Sequence, residues 1–471
     1  MPSAARGWKV PLPVAWRRPH GCCECSKANC QTGRDEIGSV AEMSQAVDCI
    51  VVGAGLAGLA CAHALERVGK RVLVVEAADR VGGRVATDSV EGFRVDRGFQ
   101  VYLDAYPEGR RQLDLPRLQL GCFEAGALVA VNGRLRRVSD PWRRPLAAMG
   151  SLINGSVGLA DAVRTARLRS DVIAAFRSGH ADPNGAVGAQ GEQSTLEMLA
   201  ARGFSTRFVR EFLSPFFGGV FLERQLKTSA RVFDFTFAMF ALGRACLPRG
   251  GMDAIPNQMA APLAAGTVRL KCAVSQVAPG RVGLADGRWL TANDVVVATE
   301  ASAAARLVPE SLRGQWSLRK NKSTRLVAFA AERSPLHNPI LLVNADESGP
   351  IDNVSVPSDV VDGYAPPGAS LVTVSVRQEF SSTDADLPAA IAQQASAWFG
   401  PEAFRWKHLS TVRVEQALPE ESPAARRLRA SGPQLAPGLF LCGDHCTSAS
   451  INGSLVSGRL CAEAVLEQDA S

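Results

Sequence analysis

Apolar positions open the chain's ordered pattern at Asp48-Cys49-Ile50-Val51-Val52, a β-branched run without alternation. That is the pattern of a strand buried on both faces. Leu56 to Gly69 then turns rich in Ala and Leu and closes on a glycine, which predicts a helix. A second apolar run, Arg71 to Val75, stops at Glu76, completing a predicted βαβ unit. Short strands are predicted at Thr267–Leu270 and Val274–Val277, leading through Val282–Gly287 to a buried run at Asp294–Thr299. The last buried run, Gly438 to Leu441, ends in Cys442-Gly443-Asp444, and a helix starts near Ile451. Between these segments, about 131–249 reads as mainly helical and is broken by the loop-like Ala181–Gly191. The stretch 311–434 mixes strands (Thr324–Ala331, Ser370–Arg377, Ser410–Glu415) with a helix near Leu387–Phe399. There is no internal repeat.

The first turn carries chemistry. Gly53, Gly55 and Gly58 fit G-x-G-x-x-G, which means little alone but sits here between a predicted strand and helix. Gly53 permits the tight turn, and Gly55 has no Cβ to hold a pyrophosphate off the backbone. Gly58 lets the helix pack close on the strand, aiming its N-terminal N–H groups at the phosphates. Glu76 follows at roughly 20 residues, where a carboxylate accepts both ribose hydroxyls and repels the 2′-phosphate of NADP. Arg80-Val81-Gly82-Gly83-Arg84 comes next, a paired-glycine turn whose guanidinium can fork onto phosphate oxygens.

With R-x-G-G-R directly after a glycine-rich βαβ unit, the chain resembles the flavin amine oxidase superfamily. That group includes monoamine and polyamine oxidases, protoporphyrinogen oxidase and phytoene desaturases. The resemblance implies that Gly53, Gly55, Gly58 and Glu76 hold the ADP part of FAD, with Arg84 near the pyrophosphate and flavin. It also implies that Val274 meets the adenine through its backbone. Gly443-Asp444 would lie at the ribityl and pyrophosphate, and the Ile451 helix N-terminus under the flavin ring. Leu247-Pro248-Arg249-Gly250-Gly251-Met252 resembles the P-x-G-G-M segment of protoporphyrinogen oxidases and carotenoid desaturases. Neither Cys442 nor Cys446 sits in the Ser-Gly-Gly-Cys-Tyr context of covalent monoamine oxidases, so non-covalent FAD is expected. The expected fold is α/β. A Rossmann-like FAD-binding domain of the glutathione-reductase type, discontinuous over 46–130, 250–310 and 435–468, would carry a mixed α+β substrate (cap) domain of 131–249 and 311–434.

Composition bounds the remainder. At 471 residues two domains are the prior. The net charge is +6; the body after residue 42 carries about +4 of it, too mild to argue for nucleic acid. No apolar run approaches the roughly 18 to 20 residues of a membrane span. The uncharged stretch Pro145–Ala160 leaves room for a peripheral membrane contact only. Residues 1–45 show no hydrophobic periodicity. Arg6, Lys9, Arg17 and Arg18 precede the first acid, Glu24, as in a mitochondrial or plastid (chloroplast) transit peptide. Alternatively, Met43 begins the protein and residues 1–42 are an upstream extension, which would leave it cytoplasmic. Cys22, Cys23, Cys25 and Cys30 lack paired C-x-x-C spacing, so no metal is expected. The other eight cysteines are scattered through the body, which suits reduced thiols.

The flavin would perform the redox step, so the sequence declares no separate catalytic side chain. His445 follows the Gly-Asp but reads as structural. Gln100 and Tyr102, in Gly92–Tyr102, are candidate pocket residues two apart on one strand face. The amine oxidases' aromatic cage is missing: Thr447–Ser457 holds no aromatic, and the chain has only three tyrosines. Ten of nineteen phenylalanines lie between Phe204 and Phe240 instead. They form the cap's core or line a bulky apolar pocket, two readings that overlap. The expectation is an FAD-dependent oxidoreductase taking a hydride from a hydrophobic tetrapyrrole- or carotenoid-like small molecule. Electrons would pass to oxygen or a quinone. Amine oxidation is the alternative, and an FAD-free binding module like the Rab GDP-dissociation inhibitors a remote one.

Overall fold

Continuous apolar runs pair as parallel strands wherever both faces can be covered. In the computed structural model, Val47–Val52 lies between Val72–Val75 and Trp289–Val297, parallel to both. Val268–Arg269 extends this sheet beyond Val72–Val75, and Leu439–Leu441 adds to the opposite side, again in parallel. Three antiparallel strands, Arg281–Leu284, Val274–Ala278 and Gln434–Ala436, complete eight. The structure describes residues 47–146, 149, 150, 155, 157–179 and 192–470. The basic leader and Ala181–Gly191 therefore lie outside the described residues.

Two helices cover one face of that sheet, Leu56–Glu66 and Ile451–Asp469. They approach closely because Gly458 has no side chain: a Cβ there would lie 2.2 Å from the Ala57 carbonyl oxygen. Gly58 serves the helix–strand contact in the same way, its missing Cβ standing 2.0 Å from Gly53 O.

A seven-stranded sheet forms the second layer system, in the order Lys407–Pro419, Asn321–Ala331, Ser370–Val376, Ile351–Ser355, Leu341–Asn344, Gly126–Val131, Arg134–Ser139. Its strands come from 126–139 and 321–419, so the segment from Gly126 already belongs to it. The helix Leu387–Phe399 buries Leu387, Ile391 and Ala395 against one face. Helices Ser214–Phe221 and Ala230–Leu242 carry seven of the ten phenylalanines between Phe204 and Phe240. Phe204, Phe208, Phe212 and Phe216 stack in sequence at 5.5 to 6.1 Å, four residues apart along the helical stretch. A single apolar core joins these helices to the nucleotide sheet, running from Val51 through Phe217 and Phe233 to Leu326.

The body cysteines are not all reduced. Cys122 and Cys246, directly opposite on the strands Gly121–Cys122 and Ala245–Leu247, form a disulfide. Cross-strand neighbours put their sulfurs in reach although 124 residues separate them. Sequence spacing carries no sign of such a pairing.

Candidate active site

The glycine turn opens onto a cavity. Gly53 adopts φ +108°, and a Cβ there would crowd Ala298 O at 3.1 Å. At Gly55 a Cβ would meet no protein atom within 4 Å, so it would project into open space. Gly55 is also the N-cap of Leu56–Glu66, with no side-chain cap and no acid in the first turn. The helix thus presents uncapped N–H groups and its positive end to the cavity, an arrangement suited to a pyrophosphate. Gly82, at φ +108°, closes the other wall, its N–H donating to Ala54 O at 2.8 Å. Glu76 is held in place by two backbone N–H groups, Ala54 to Oε2 and Ala78 to Oε1, each at 2.8 Å. The carboxylate is fixed in orientation and lines the cavity. These residues fit a dinucleotide with free ribose hydroxyls.

Arg84 and Asp444 meet across the cavity floor. An Nη2 of Arg84 donates to Asp444 Oδ1 at 2.6 Å, and Nη1 donates to Ala417 O at 3.0 Å. Burial alone would raise the Asp444 carboxyl, which is 5% exposed. The Arg84 guanidinium outweighs it and holds the group below the usual carboxylate range. Gly443 makes the turn before it, at φ +148°, with its N–H on Ser457 Oγ at 2.9 Å. A Cβ at Gly443 would lie 2.5 Å from the His445 ring. His445 itself is fully buried and does not line the cavity. Burial lowers its pKa to about 4, so the ring is neutral near pH 7.

The cavity provides about 480 Å³ of room for water centres. It continues from the glycines to an aromatic part lined by Phe99, Leu103, Tyr106, Phe235 and Phe240. Thus three of the clustered phenylalanines (Phe221, Phe235, Phe240) face the cavity while Phe217 and Phe233 pack in the core. Tyr106 is the one tyrosine among the lining residues, stacked on Phe235 at 6.3 Å. Ser448, Ser450 and Ser454 supply a small polar wall where an amine cage would need an aromatic ring.

Of the predicted pocket pair, Gln100 lines the cavity, its Nε2 donating to the carbonyls of Arg84 and Arg97 at 2.8 Å. Tyr102 does not. Its strand is only Tyr102–Leu103, so the alternation does not extend back to Gln100. Val101 and Leu103 face the cavity, and Tyr102 turns into the core, 0% exposed, edge-on to Tyr106. Val274 stands on an antiparallel edge strand, packed on the sheet's core and outside the cavity lining. Gly58 acts from behind the wall. Sequence reasoning missed Glu300, which lines the cavity and caps its own helix by accepting from Ser302 and Ala303 N–H at 2.7 Å. An acid directly after a buried strand, before an Ala-rich run, is the signal that could have found it. It also missed Asp352 and Asn353, for which a polar pair inside the short strand Ile351–Ser355 is the only clue.

The profile of the flavin containing amine oxidoreductase family matches residues 56–466. The chain belongs to that family. Membership implies a flavin cofactor and oxidoreductase chemistry. Among curated relatives, a candidate flavin-containing monoamine oxidase from Mycobacterium tuberculosis is 58% identical over 52 residues, 11% of this chain and 12% of that protein. Phytoene dehydrogenase from Streptomyces griseus is 31% identical over 241 residues, 45% of each chain. The chain therefore spans less than half the length of these relatives. A candidate protoporphyrinogen oxidase from Exiguobacterium sp. 255-15 has the same fold, with TM-score 0.65 and 17% identity over 90% of this chain and 99% of that one. No helix of the described residues is long and apolar enough to cross a membrane.

Proposed function

We propose that the protein oxidises a bulky hydrophobic small molecule, of the tetrapyrrole or polyene type, at a C–C or C–N bond. FAD, when bound, accepts a hydride from such a bond and passes the electrons on to oxygen or a quinone. The observation that carries this reading is the aromatic part of the cavity lining, Phe99, Phe235 and Phe240 with Tyr106 as the one phenol among the lining residues. An apolar wall of this kind binds by area, and a cationic amine would be desolvated there without a cage. The chain's own contribution is orientation and exclusion of water; among the described lining residues there is no histidine or lysine.

Attachment is proposed to be non-covalent. No cysteine or histidine stands among the lining residues, and Cys442 and Cys446 lie behind the wall. Acid precipitation should leave the yellow colour in solution; colour in the pellet would prove covalent linkage. A peripheral membrane contact is supported by the exposed Trp142, Leu146, Met149 and Leu159.

The family name and the mycobacterial relative favour amine oxidation as a second reading. The deciding experiment is anaerobic. Flavin-loaded protein is mixed in turn with a reduced tetrapyrrole, a polyene in detergent and a panel of amines, and the visible spectrum is followed. Bleaching by the tetrapyrrole or polyene is expected; bleaching by amines alone would replace this reading with amine oxidation.

A further inference from the structure

The chain that carries the phenylalanine helices enters and leaves through a narrow neck. It runs in through Gly121–Cys122 and out through Ala245–Leu247, and these strands pair directly, Gly121 with Leu247 and Cys122 with Cys246. The other edge of Ala245–Leu247 pairs with Tyr102–Leu103, placing Leu103 opposite Ala245. Strands of two or three residues supply few ladder hydrogen bonds. The disulfide is the one covalent tie across this neck, and it joins cysteines 124 residues apart. The loop it closes holds the helices Ser214–Phe221 and Ala230–Leu242.

The neck reaches the cavity wall from both sides. Leu103 lines the cavity, and Phe123, directly after Cys122, meets the lining residue Phe99 edge-on at 6.2 Å. The Phe123 N–H donates to Ala245 O at 2.8 Å, which ties that ring contact to the strand Ala245–Leu247. Tyr106, three residues past Leu103, stacks on Phe235 of the helix Ala230–Leu242 at 6.3 Å. The neck and the helix it carries therefore share one aromatic wall. Access to the disulfide is one-sided: Cys246 is fully buried, whereas Cys122 is partly exposed. A disulfide that ends in a partly exposed residue is open to exchange from that side.

We propose that Cys122–Cys246 is a redox-active disulfide, opened by a dithiol reductant, whose state sets how firmly the aromatic wall is held. A thiolate of the reductant attacks the Cys122 sulfur; the Cys246 sulfur leaves with the electron pair of the broken bond and takes up a proton. The reductant's second thiol then attacks the mixed disulfide and releases Cys122 as a thiol. Two electrons and two protons pass to the protein, and the dithiol ends as a disulfide. A disulfide oxidant closes the pair again by the reverse exchange. With the bond open, only the short strand pairs hold the neck, and the wall of Phe99, Leu103, Tyr106 and Phe235 loosens. The glycine cradle draws on other strands and keeps its structure. The bearing of this switch on catalysis rests on the cavity being the substrate's seat, as proposed above.

Flavin-loaded protein is incubated under native conditions with or without dithiothreitol and quenched in acid. Peptide mass spectrometry then counts the linked Cys122–Cys246 peptide, and hydrogen–deuterium exchange is measured on the same samples. Dithiothreitol is expected to abolish the linked peptide and to speed amide exchange over Ala230–Leu242 and at Leu103 at least about threefold, with Leu56–Glu66 unchanged. The double variant Cys122→Ser, Cys246→Ser should exchange like the reduced parent and ignore dithiothreitol. If that variant does not fold, return of the slow exchange when oxidised glutathione re-forms the linked peptide carries the test in the parent alone. A linked peptide that survives dithiothreitol until the protein unfolds, or equal exchange in the two states, would overturn the proposal. Its failure is separable from that of the oxidation reading. Flavin bleaching by amines alone sinks the latter and leaves the exchange result standing, whereas equal exchange with polyene bleaching intact sinks only the switch.

Discussion

The two sheets contribute to one cavity by opposite means. The parallel sheet offers backbone: glycines at positive φ, an uncapped helix end and one carboxylate pinned by N–H groups. The seven-stranded sheet and the phenylalanine helices offer side chains from distant segments, such as Phe235, Thr324 and Asn353. A backbone cradle tolerates few residue types, because a Cβ at Gly58 or Gly443 collides with fixed neighbours. A side-chain wall tolerates many. The cradle is therefore the more tightly constrained of the two.

The largest effect should come from breaking the ion pair that joins the cradle's two segments. Arg84→Met leaves Asp444 buried and unpaired, at a cost of about 3 kcal/mol, the low end for such a loss because Arg84 keeps 30% of its side chain exposed. The pH dependence also changes sign. In the parent the Asp444 pKa is depressed, so its stabilisation is present above the ordinary carboxylate range and lost as pH falls through it. Without Arg84, burial dominates and raises that pKa, so the variant should gain stability on acidification from pH 6 to pH 4. Urea unfolding at both pH values reads this directly.

Asp234, on the phenylalanine helix, should give a smaller effect. Burial raises its pKa to about 6 and its Oδ1 has no partner. A folded-state pKa above the unfolded value makes stability fall between about pH 4 and pH 6 and level off above. Asp234→Asn should raise the midpoint of thermal unfolding at pH 8 and leave it unchanged at pH 4, as scanning calorimetry would show. The smallest effect is expected at Tyr102, whose buried hydroxyl has no partner. Tyr102→Phe should change stability by less than about 1 kcal/mol and leave substrate KM untouched. A raised KM would return Tyr102 to the pocket.

The same contrast explains what could be read in advance. Gly53, Gly55, Glu76 and Arg84 lie within 32 residues of one another, so the strand–turn–helix context and the R-x-G-G-R resemblance single them out together. Gly443 and Asp444 were singled out by resemblance, as a Gly-Asp closing a buried strand late in the chain. Tyr102 was misplaced because strand alternation was extended across a two-residue strand. Asn353 and Glu300 were invisible for a different reason. Their roles depend on which segments fold around the cavity, which 300, 353 and 443 come to line only through two sheets. The disulfide between Cys122 and Cys246 belongs to the same class, because only the pairing of their strands brings the thiols together.

The open space at Gly55 is the proposed seat of the flavin nucleotide. Gly55→Val places a side chain in that space without touching any protein atom within 4 Å at its Cβ, and the residue's φ of −71° suits any L-amino acid. Flavin content per chain and the unfolding temperature of the flavin-free protein are measured together in parent and variant. The account predicts an unchanged unfolding temperature with flavin retention lost. Full flavin retention in a folded Gly55→Val protein would contradict it.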